Sequence, residues 1–282
     1  MQIIRQLEML RSAVAAVRER GGSLALAPTM GALHQGHLTL VREARRMADA
    51  VAVSIFVNPR QFGPSEDLDS YPRQLERDAD LLRSEGVAIL WAPDAAVMYP
   101  PDYATDVSVA GVSEPLCGAN RPGHFDGVAT VVLKLFNQVR PDCALFGEKD
   151  WQQLAVIRRM ARDLDLTQPD AAAIHAVPTV REEDGLAMSS RNAYLSPEQR
   201  ARAAALPQLM RQAAAAIANG EAAQEVLTTL RSDLLGAGFE QVDYAELRDG
   251  QTLHSVAQAQ PGSRLFVAAR IGGTRLIDNL AV

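Results

Sequence analysis

The segment that most restricts what this chain can fold into runs from Leu24 to Val57. Leu24-Ala25-Leu26-Ala27 is an apolar run that ends at Pro28-Thr29-Met30-Gly31-Ala32-Leu33-His34-Gln35-Gly36-His37. From His37 onward, Leu38, Leu40, Val41, Ala44, Met47 and Ala48 recur with roughly helical period. Val51 to Val57 is then a second, almost wholly apolar run. Strands that are apolar on both faces belong to parallel sheets covered by helices on each side. The segment therefore reads as strand, helix, strand, with the usual right-handed crossover. The turn into the helix aims peptide N–H groups at whatever lies there, a geometry that suits phosphate. Two imidazoles beside it add hydrogen-bond donors. Nucleotide chemistry is the first function class this suggests.

Other readings of the same turn fare worse. Gly31, four residues, then Gly36 and His37 imitate a P-loop, but that loop needs Lys where His37 stands and a hydroxyl where Leu38 stands. The spacing is not that of a dinucleotide-binding G-x-G-x-x-G fingerprint. A two-histidine metal site is open, although zinc takes three or four protein ligands and no Cys/His/Asp cluster lies nearby in sequence. Polar residues at the carboxyl end of a strand lie where open α/β sheets bind ligands, which favours a functional reading of both histidines.

The rest of the chain supplies matching loops. Residues 1 to 20 read as a short strand and a helix with Leu7, Leu10, Val14 and Val17 on one face, ended by Gly21-Gly22. Asn58 to Pro64 has turn chemistry and directly follows the second strand. Residues 72 to 85 read as a charged helix and Val87 to Trp91 as a third strand. Pro93 to Asp126 is irregular and rich in proline and glycine, and a loop of that length in a compact domain is usually functional. Val128, Val131, Val132, Leu135, Phe136 and Val139 mark a helix. Cys143 to Phe146 is a strand with Gly147-Glu148-Lys149-Asp150 at its end, followed by a helix carrying Gln153. Ile174 to Val177 is another strand. Arg181 to Arg191 is a polar loop, and Ser196-Pro197-Glu198-Gln199 is a capped helix start. The tail reads as two long helices, then strand-like runs at 242–247 and 264–270. These elements predict an α/β class: a Rossmann-like doubly wound parallel sheet over residues 1–178, and a smaller α+β C-terminal lid domain over 179–282.

Composition narrows the partners. The chain of 282 residues carries a net charge of −6 and a pI near 5.4, which argues against a broad nucleic-acid footprint, since that needs a basic face, and still allows a small basic pocket for an anionic substrate. No apolar run reaches the length of a membrane span, and the N-terminus has no signal-peptide pattern. Two cysteines, Cys117 and Cys143, show no metal or redox spacing, so a reducing cytoplasm is expected. His124, His175 and His254 read as structural.

Four segments thus converge: the His34/His37 turn, the Asn58/Gln61 loop, Gly147–Asp150 with Gln153, and Met188–Arg191. On these the chain resembles the superfamily with HIGH and KMSKS signatures and, more narrowly, the pantoate–β-alanine ligase family. The carrying blocks are PTMGALHQGH at 28–37, SIFVNPRQFGPSEDL at 54–68, YPR at 71–73, RPGHFDGV at 121–128, LFGEKDWQQL at 145–154 and GLAMSSRNAYL at 185–195. They span about residues 24 to 195.

The resemblance implies an ATP-dependent ligase that condenses (R)-pantoate with β-alanine through a pantoyl adenylate, with ATP and Mg²⁺. It implies an ATP site made of Met30, Gly31, Ala32, Leu33, His34, Gln35, Gly36, His37, Gly147, Glu148, Lys149, Asp150, Val180, Met188, Ser189, Ser190 and Arg191. His34 and His37 would contact the phosphates, with an acid role for His37, and Lys149 and Arg191 would neutralise the leaving pyrophosphate. Gln61 and Gln153 would hold pantoate, with Asn58 beside Gln61, and Gln61 would also orient β-alanine. Arg121 would sit near the acyl-phosphate centre. Asp78 is the candidate outer-shell carboxylate for Mg²⁺, although the sequence there is Arg77-Asp78-Ala79 where family members often carry two adjacent acids. A homodimer is also implied. The rivals are another nucleotidyltransferase of the superfamily, an aminoacyl-tRNA synthetase fragment, and a catalytically silent nucleotide-binding regulator.

Overall fold

The computed structural model describes residues 1–64 and 66–282. The chain opens with β1 (Gln2–Ile4) and α1 (Leu7–Glu19), then enters β2 (Leu24–Thr29), α2 (Gln35–Met47) and β3 (Ala50–Ile55). β2 and β3 pair in parallel from Leu24 opposite Ala50 to Thr29 opposite Ile55, so the expected strand–helix–strand unit is present. α3 (Leu75–Ser84) and β4 (Ile89–Trp91) continue it. The proline- and glycine-rich stretch that follows is interrupted by two single-turn helices, α4 (Ala95–Met98) and α5 (Cys117–Asn120). Then come α6 (His124–Val139), β5 (Cys143–Gly147), α7 (Trp151–Asp163) and β6 (Ile174–Val177).

The six strands form one parallel sheet in the order β1-β4-β3-β2-β5-β6. Alternation along β2 shows both faces covered. Leu24 and Leu26 join the core made with α1, α6 and α7, whereas Ala25 and Ala27 join the core made with α2 and α3. Every apolar position expected to face inward on α6 is buried. Met47, expected on the buried stripe of α2, is 47% exposed at the last residue of the helix. The chain runs outward from β2 through β3 to β4, then returns to place β5 on the other side of β2. The order reverses between β2 and β5, and crevices at such reversals bind ligands at the carboxyl ends of the strands.

The C-terminal part differs from the sequence reading in two ways. First, one of the two expected long helices is broken: α8 (Pro197–Ala203) and α9 (Ala205–Ala218) are separate, and α10 (Ala223–Gly236) follows. Pro207 has no N–H to bond back to Ala203, which interrupts the ladder at that point. Second, there are three strands, β7 (Gln241–Asp249), β8 (Ser263–Ile271) and β9 (Thr274–Ala281), in an antiparallel sheet. β9 is hidden in the sequence because Asp278-Asn279 breaks its apolar alternation. Gly272-Gly273, both at positive φ, is the two-residue turn that joins β8 to β9.

This small sheet is buried on both sides. Leu265, Val267 and Ala269 pack with Leu206, Met210, Leu230 and Leu234 of the helices, while Phe266 and Ala268 join the same core as α6 and α7. The α+β unit is thus seated on the parallel-sheet unit through its own sheet.

One close approach ties the core to the loops above it. A Cβ on Gly127 of α6 would lie 2.3 Å from the Arg60 carbonyl oxygen and 2.7 Å from the Gln61 nitrogen. Gly127→Ala should therefore push the 58–61 loop away and lower the unfolding free energy by about 1–3 kcal/mol. Denaturant unfolding of the variant checks this, and wild-type stability would contradict it.

Candidate active site

The turn after β2 is built around acceptors that hold its peptide N–H groups. Gly31 and Ala32 both take positive φ, +87° and +50°. The cost of the second is offset by Asp78 on α3, whose two carboxylate oxygens accept the N–H of Ala32 at 2.8 Å and of Leu33 at 2.9 Å. His34 is the N-cap of α2. Its Nδ1 accepts the N–H of Gly36 at 3.1 Å, and Nδ1 of His37 accepts the N–H of His34 at 3.3 Å. The rings lie 4.1 Å apart, centroid to centroid. A Cβ on Gly36 would come within 2.9 Å of the His34 ring, so only glycine lets the imidazole lie against this turn.

An Nδ1 that accepts carries no proton. Both imidazoles therefore hold their hydrogen on Nε2 when neutral. They are held neutral: burial, reinforced by the nearby Lys149 charge, pushes His34 down to about 4. Burial, with His34 and Lys149 beside it, pushes His37 down to about 3.

These rings line a cavity of about 670 Å³. Lys149 enters it from the short 3₁₀ turn after β5, the strand next to β2, with Nζ 3.7 Å from Asp150. Met188 to Arg191 close another wall. Met188 donates its N–H to the Val180 carbonyl. The Ser189 hydroxyl accepts the Arg191 N–H at 3.2 Å, and the Ser190 hydroxyl donates to the Ala32 carbonyl at 3.2 Å. That last bond joins the two signature segments directly. The Arg191 guanidinium makes a two-pronged pair with Asp67, at 2.8 and 2.9 Å. Burial opposes ionisation of Asp67, but Arg191 outweighs it and holds the carboxyl below its usual range.

Another part of the cavity is amide-rich. Gln61 and Gln153 line it. Asn58 is buried and all its hydrogen-bonding capacity is used: Nδ2 donates to Gln61 Oε1 and to the Gly127 carbonyl, while Oδ1 accepts from the Arg60 N–H and the Tyr99 hydroxyl. It supports Gln61 rather than offering itself to a ligand. Arg121 pairs with Glu66 at 2.5 and 2.7 Å and lies 3.0 Å from His124 Nε2, and His124 Nδ1 meets the Gln61 carbonyl at 2.7 Å. Burial, then the Arg121 charge, pushes His124 down to about 4, so its neutral ring donates to Gln61 and accepts from Arg121. Val128, Val131, Val132 and Phe56 give this part an apolar floor.

Most of the residues expected from sequence meet here: Met30, His34, Gly36, His37, Asn58, Gln61, Arg121, Gly147, Lys149, Asp150, Gln153, Val180 and Met188 to Arg191 all line the cavity. Gly31, Ala32, Leu33, Gln35 and Glu148 do not. Leu33 is a core residue, Gln35 is exposed, and Glu148 turns toward Arg264, 3.8 Å away. Asp78, expected near a cation, spends both oxygens on the turn's amides and does not line the cavity. Among the described residues no three His, Cys, Asp or Glu side chains form a metal-holding group. Sequence reasoning missed Glu66 and Asp67, although they stand within the SEDL run, because their partners lie 55 and 124 residues away.

Comparison with known proteins identifies the family. The model of the family described as pantoate-beta-alanine ligase matches residues 2–281. A pantothenate synthetase of Novosphingobium aromaticivorans is 64% identical, covering 100% of this chain and 99% of the relative. One from Sphingopyxis alaskensis is 59% identical, covering both chains fully. The crystal structure of pantothenate synthetase from Thermus thermophilus superposes with a TM-score of 0.92 at 46% identity, covering 99% of each chain. That of pantoate-beta-alanine ligase from Francisella tularensis, complexed with beta-gamma ATP and beta-alanine, gives 0.85 at 32% identity, covering 100% of this chain and 97% of the other.

The task of Asp78 can be tested without turnover. Asp78→Asn keeps one acceptor and sets an N–H donor against one of the two amides, that of Ala32 or that of Leu33. It should lower the unfolding free energy by about 1–3 kcal/mol, equally in metal-free buffer and with Mg²⁺. A destabilisation seen only when the cation is present would restore a metal role.

Proposed function

This chain belongs to the pantoate-beta-alanine ligase family, and from that premise we propose how its residues divide the reaction. The enzyme condenses pantoate with β-alanine in an ATP-dependent reaction that forms pantothenate. In the first step a pantoate carboxylate oxygen attacks the α-phosphorus of ATP. The bond from that phosphorus to the bridging oxygen breaks, pyrophosphate leaves with the electron pair, and pantoyl adenylate forms. In the second, the β-alanine amine attacks the acyl carbon, AMP leaves with the electron pair, and the nitrogen gives up a proton as the amide forms.

The first step brings two anions together and builds charge on the leaving group. Donors fixed in advance where charge develops lower such a barrier most. Nε2–H of His34 and of His37 supply two donors, at the N-terminus of α2, where the helix itself favours anions. Being neutral, His37 acts as a hydrogen-bond donor through Nε2–H; the acid role expected of it would require a proton on Nδ1, the nitrogen that accepts the His34 N–H. Lys149 and Arg191 add positive charge, and Ser189 and Ser190 add hydroxyls. Asp67 keeps the Arg191 fork aimed at the cavity until phosphate competes for it. Met30, Gly36, Gly147, Asp150, Val180 and Met188 complete the nucleotide's walls.

Gln61 and Gln153 suit pantoate, which has two hydroxyls and a carboxylate that must stay nucleophilic. A neutral amide orients that carboxylate without quenching it as a cation would. The valine floor accommodates the geminal methyl groups, and Asn58 and His124 hold Gln61 in place. Arg121, kept in reach by Glu66, faces the acyl end and β-alanine. The second step then asks for positioning alone.

Mg²⁺ belongs to this reading as a companion of ATP. Glu66, Asp67 and Asp150 line the cavity, and among the described residues no three such side chains form a cage, which fits an ion that keeps waters and takes most of its ligands from phosphate. No described helix is long and apolar enough to cross a membrane. A cytoplasmic, homodimeric enzyme completes the proposal. The two free, buried cysteines fit a reducing compartment. We also place the boundary between the two units at residues 178/179, just past β6.

The observation that carries the assignment of roles is that two neutral imidazoles line one cavity together with Lys149 and Arg191. Its test is the stoichiometry and rate of turnover. AMP and pyrophosphate should appear one-for-one with pantothenate, and His37→Ala should lower the rate by about 10²–10³-fold with the fold intact. Nucleotide retained on the product, or a His37→Ala enzyme at near-normal rate, would overturn it.

A further inference from the structure

Two polar neighbours on β9, Asp278 and Asn279, are both buried, at 3% exposure each. Burying such groups is unfavourable unless each is fully hydrogen-bonded, and here each is bonded to a different wall of the cavity. The Asp278 carboxylate accepts from Arg181 at 2.6 and 2.9 Å. Arg181 bridges Ala187 at the base of the hairpin that leads into Met188–Arg191. Asn279 Nδ2 donates to the carbonyls of Glu148 at 2.9 Å and Lys149 at 3.0 Å, and its Oδ1 accepts from Arg264 Nε at 2.9 Å. Only this orientation of the amide satisfies all three contacts. The same turn is gripped again one residue on. The Trp151 indole N–H donates to the Gly250 carbonyl at 2.6 Å, and the Arg264 guanidinium lies 3.7 Å over the Trp151 ring.

We propose that Asn279 is a positioning residue for formation of the acyl adenylate: the C-terminal sheet reaches under the turn after β5 and sets the direction in which Lys149 enters the cavity. Asn279 touches neither substrate nor nucleotide in this role. It acts on the backbone of residue 149, and its neighbour Asp278 holds the opposite wall from the same strand. The C-terminal unit is then more than a cover. One of its strands fixes the spacing between the two cationic segments that flank the leaving group. This rests on the reading of Lys149 as a charge for departing pyrophosphate. Displacements near 1 Å of such a group can slow a reaction by up to about 10²-fold.

Asn279→Asp is the informative variant. It keeps the shape and the oxygen that faces Arg264, and it replaces the donor to the two carbonyls with an acceptor. Two half-reactions are measured: pyrophosphate release from ATP and pantoate without β-alanine, and pantothenate formation from added pantoyl adenylate and β-alanine. We expect the first to fall about 10- to 100-fold and the second to stay within about twofold of wild type. In a Lys149→Ala background, Asn279→Asp should add less than about twofold. If Asn279→Asp does not fold, Asn279→Ala is read by the same split. Equal loss in both half-reactions marks a merely structural residue and overturns the proposal, as does an unchanged first half-reaction. A full additional loss without Lys149 also overturns it. Lys149→Ala alone separates the two readings. If it leaves adenylate formation at the wild-type rate, the role of Lys149 falls and that of Asn279 with it. If it slows that step while Asn279→Asp does not, only the role of Asn279 falls.

Discussion

The site depends on two ring nitrogens that accept hydrogen bonds from the backbone. Nδ1 of His34 takes the Gly36 N–H and Nδ1 of His37 takes the His34 N–H, which closes the first turn of α2 as a reciprocal cap. Neither bond survives protonation of its ring, so the same geometry that starts the helix demands neutral imidazoles. It also decides which atom faces the ligand. With Nδ1 spent on the backbone, Nε2–H is what each ring has left to give. The chain thus converts two titratable side chains into fixed dipolar donors, and burial next to Lys149 keeps them so.

Around this turn the structure spends charged groups mainly on holding one another. Asp78 pins the amides before the helix, Asp67 orients Arg191, Glu66 orients Arg121, and His124 and Asn58 fix the two ends of Gln61. Groups aimed before substrate arrives lose little freedom when it binds, which is what positioning by a rigid frame achieves. The sheet order contributes the coarse part of that frame. β2 and β5 are neighbours at the reversal of the sheet, so the turns that follow them, 30–37 and 147–150, open onto the same crevice.

Which parts can be read from the sequence follows from how far apart in the chain the interacting groups lie. The strand–helix–strand unit, the apolar face of α6 and the Ser196 cap are local patterns and are legible as such. So are the segments at strand ends, because a polar run after an apolar strand has only one edge to occupy. What stays hidden is pairing across the chain. Asp78 looks like a free carboxylate until the amides of residues 32 and 33 are seen against it. Asn58 looks like a ligand until Tyr99 and Gly127 claim it. Asp278-Asn279 reads as a polar interruption near the end of the chain, and only the antiparallel sheet turns it into a buried support for the opposite walls of the cavity. The separation of α8 from α9 is obscured for a different reason, since the bond that Pro207 cannot make to Ala203 is a backbone effect inside an otherwise continuous apolar pattern.

The most direct test of this account is the protonation state of the two cavity histidines, followed by nitrogen-15 NMR of the imidazole rings across pH. With His34 held down to about 4 and His37 down to about 3, both should remain neutral at pH 6 with the proton on Nε2. Titration of either ring near the ordinary value of 6.5, or a proton on Nδ1, would contradict the cap on which the site is built.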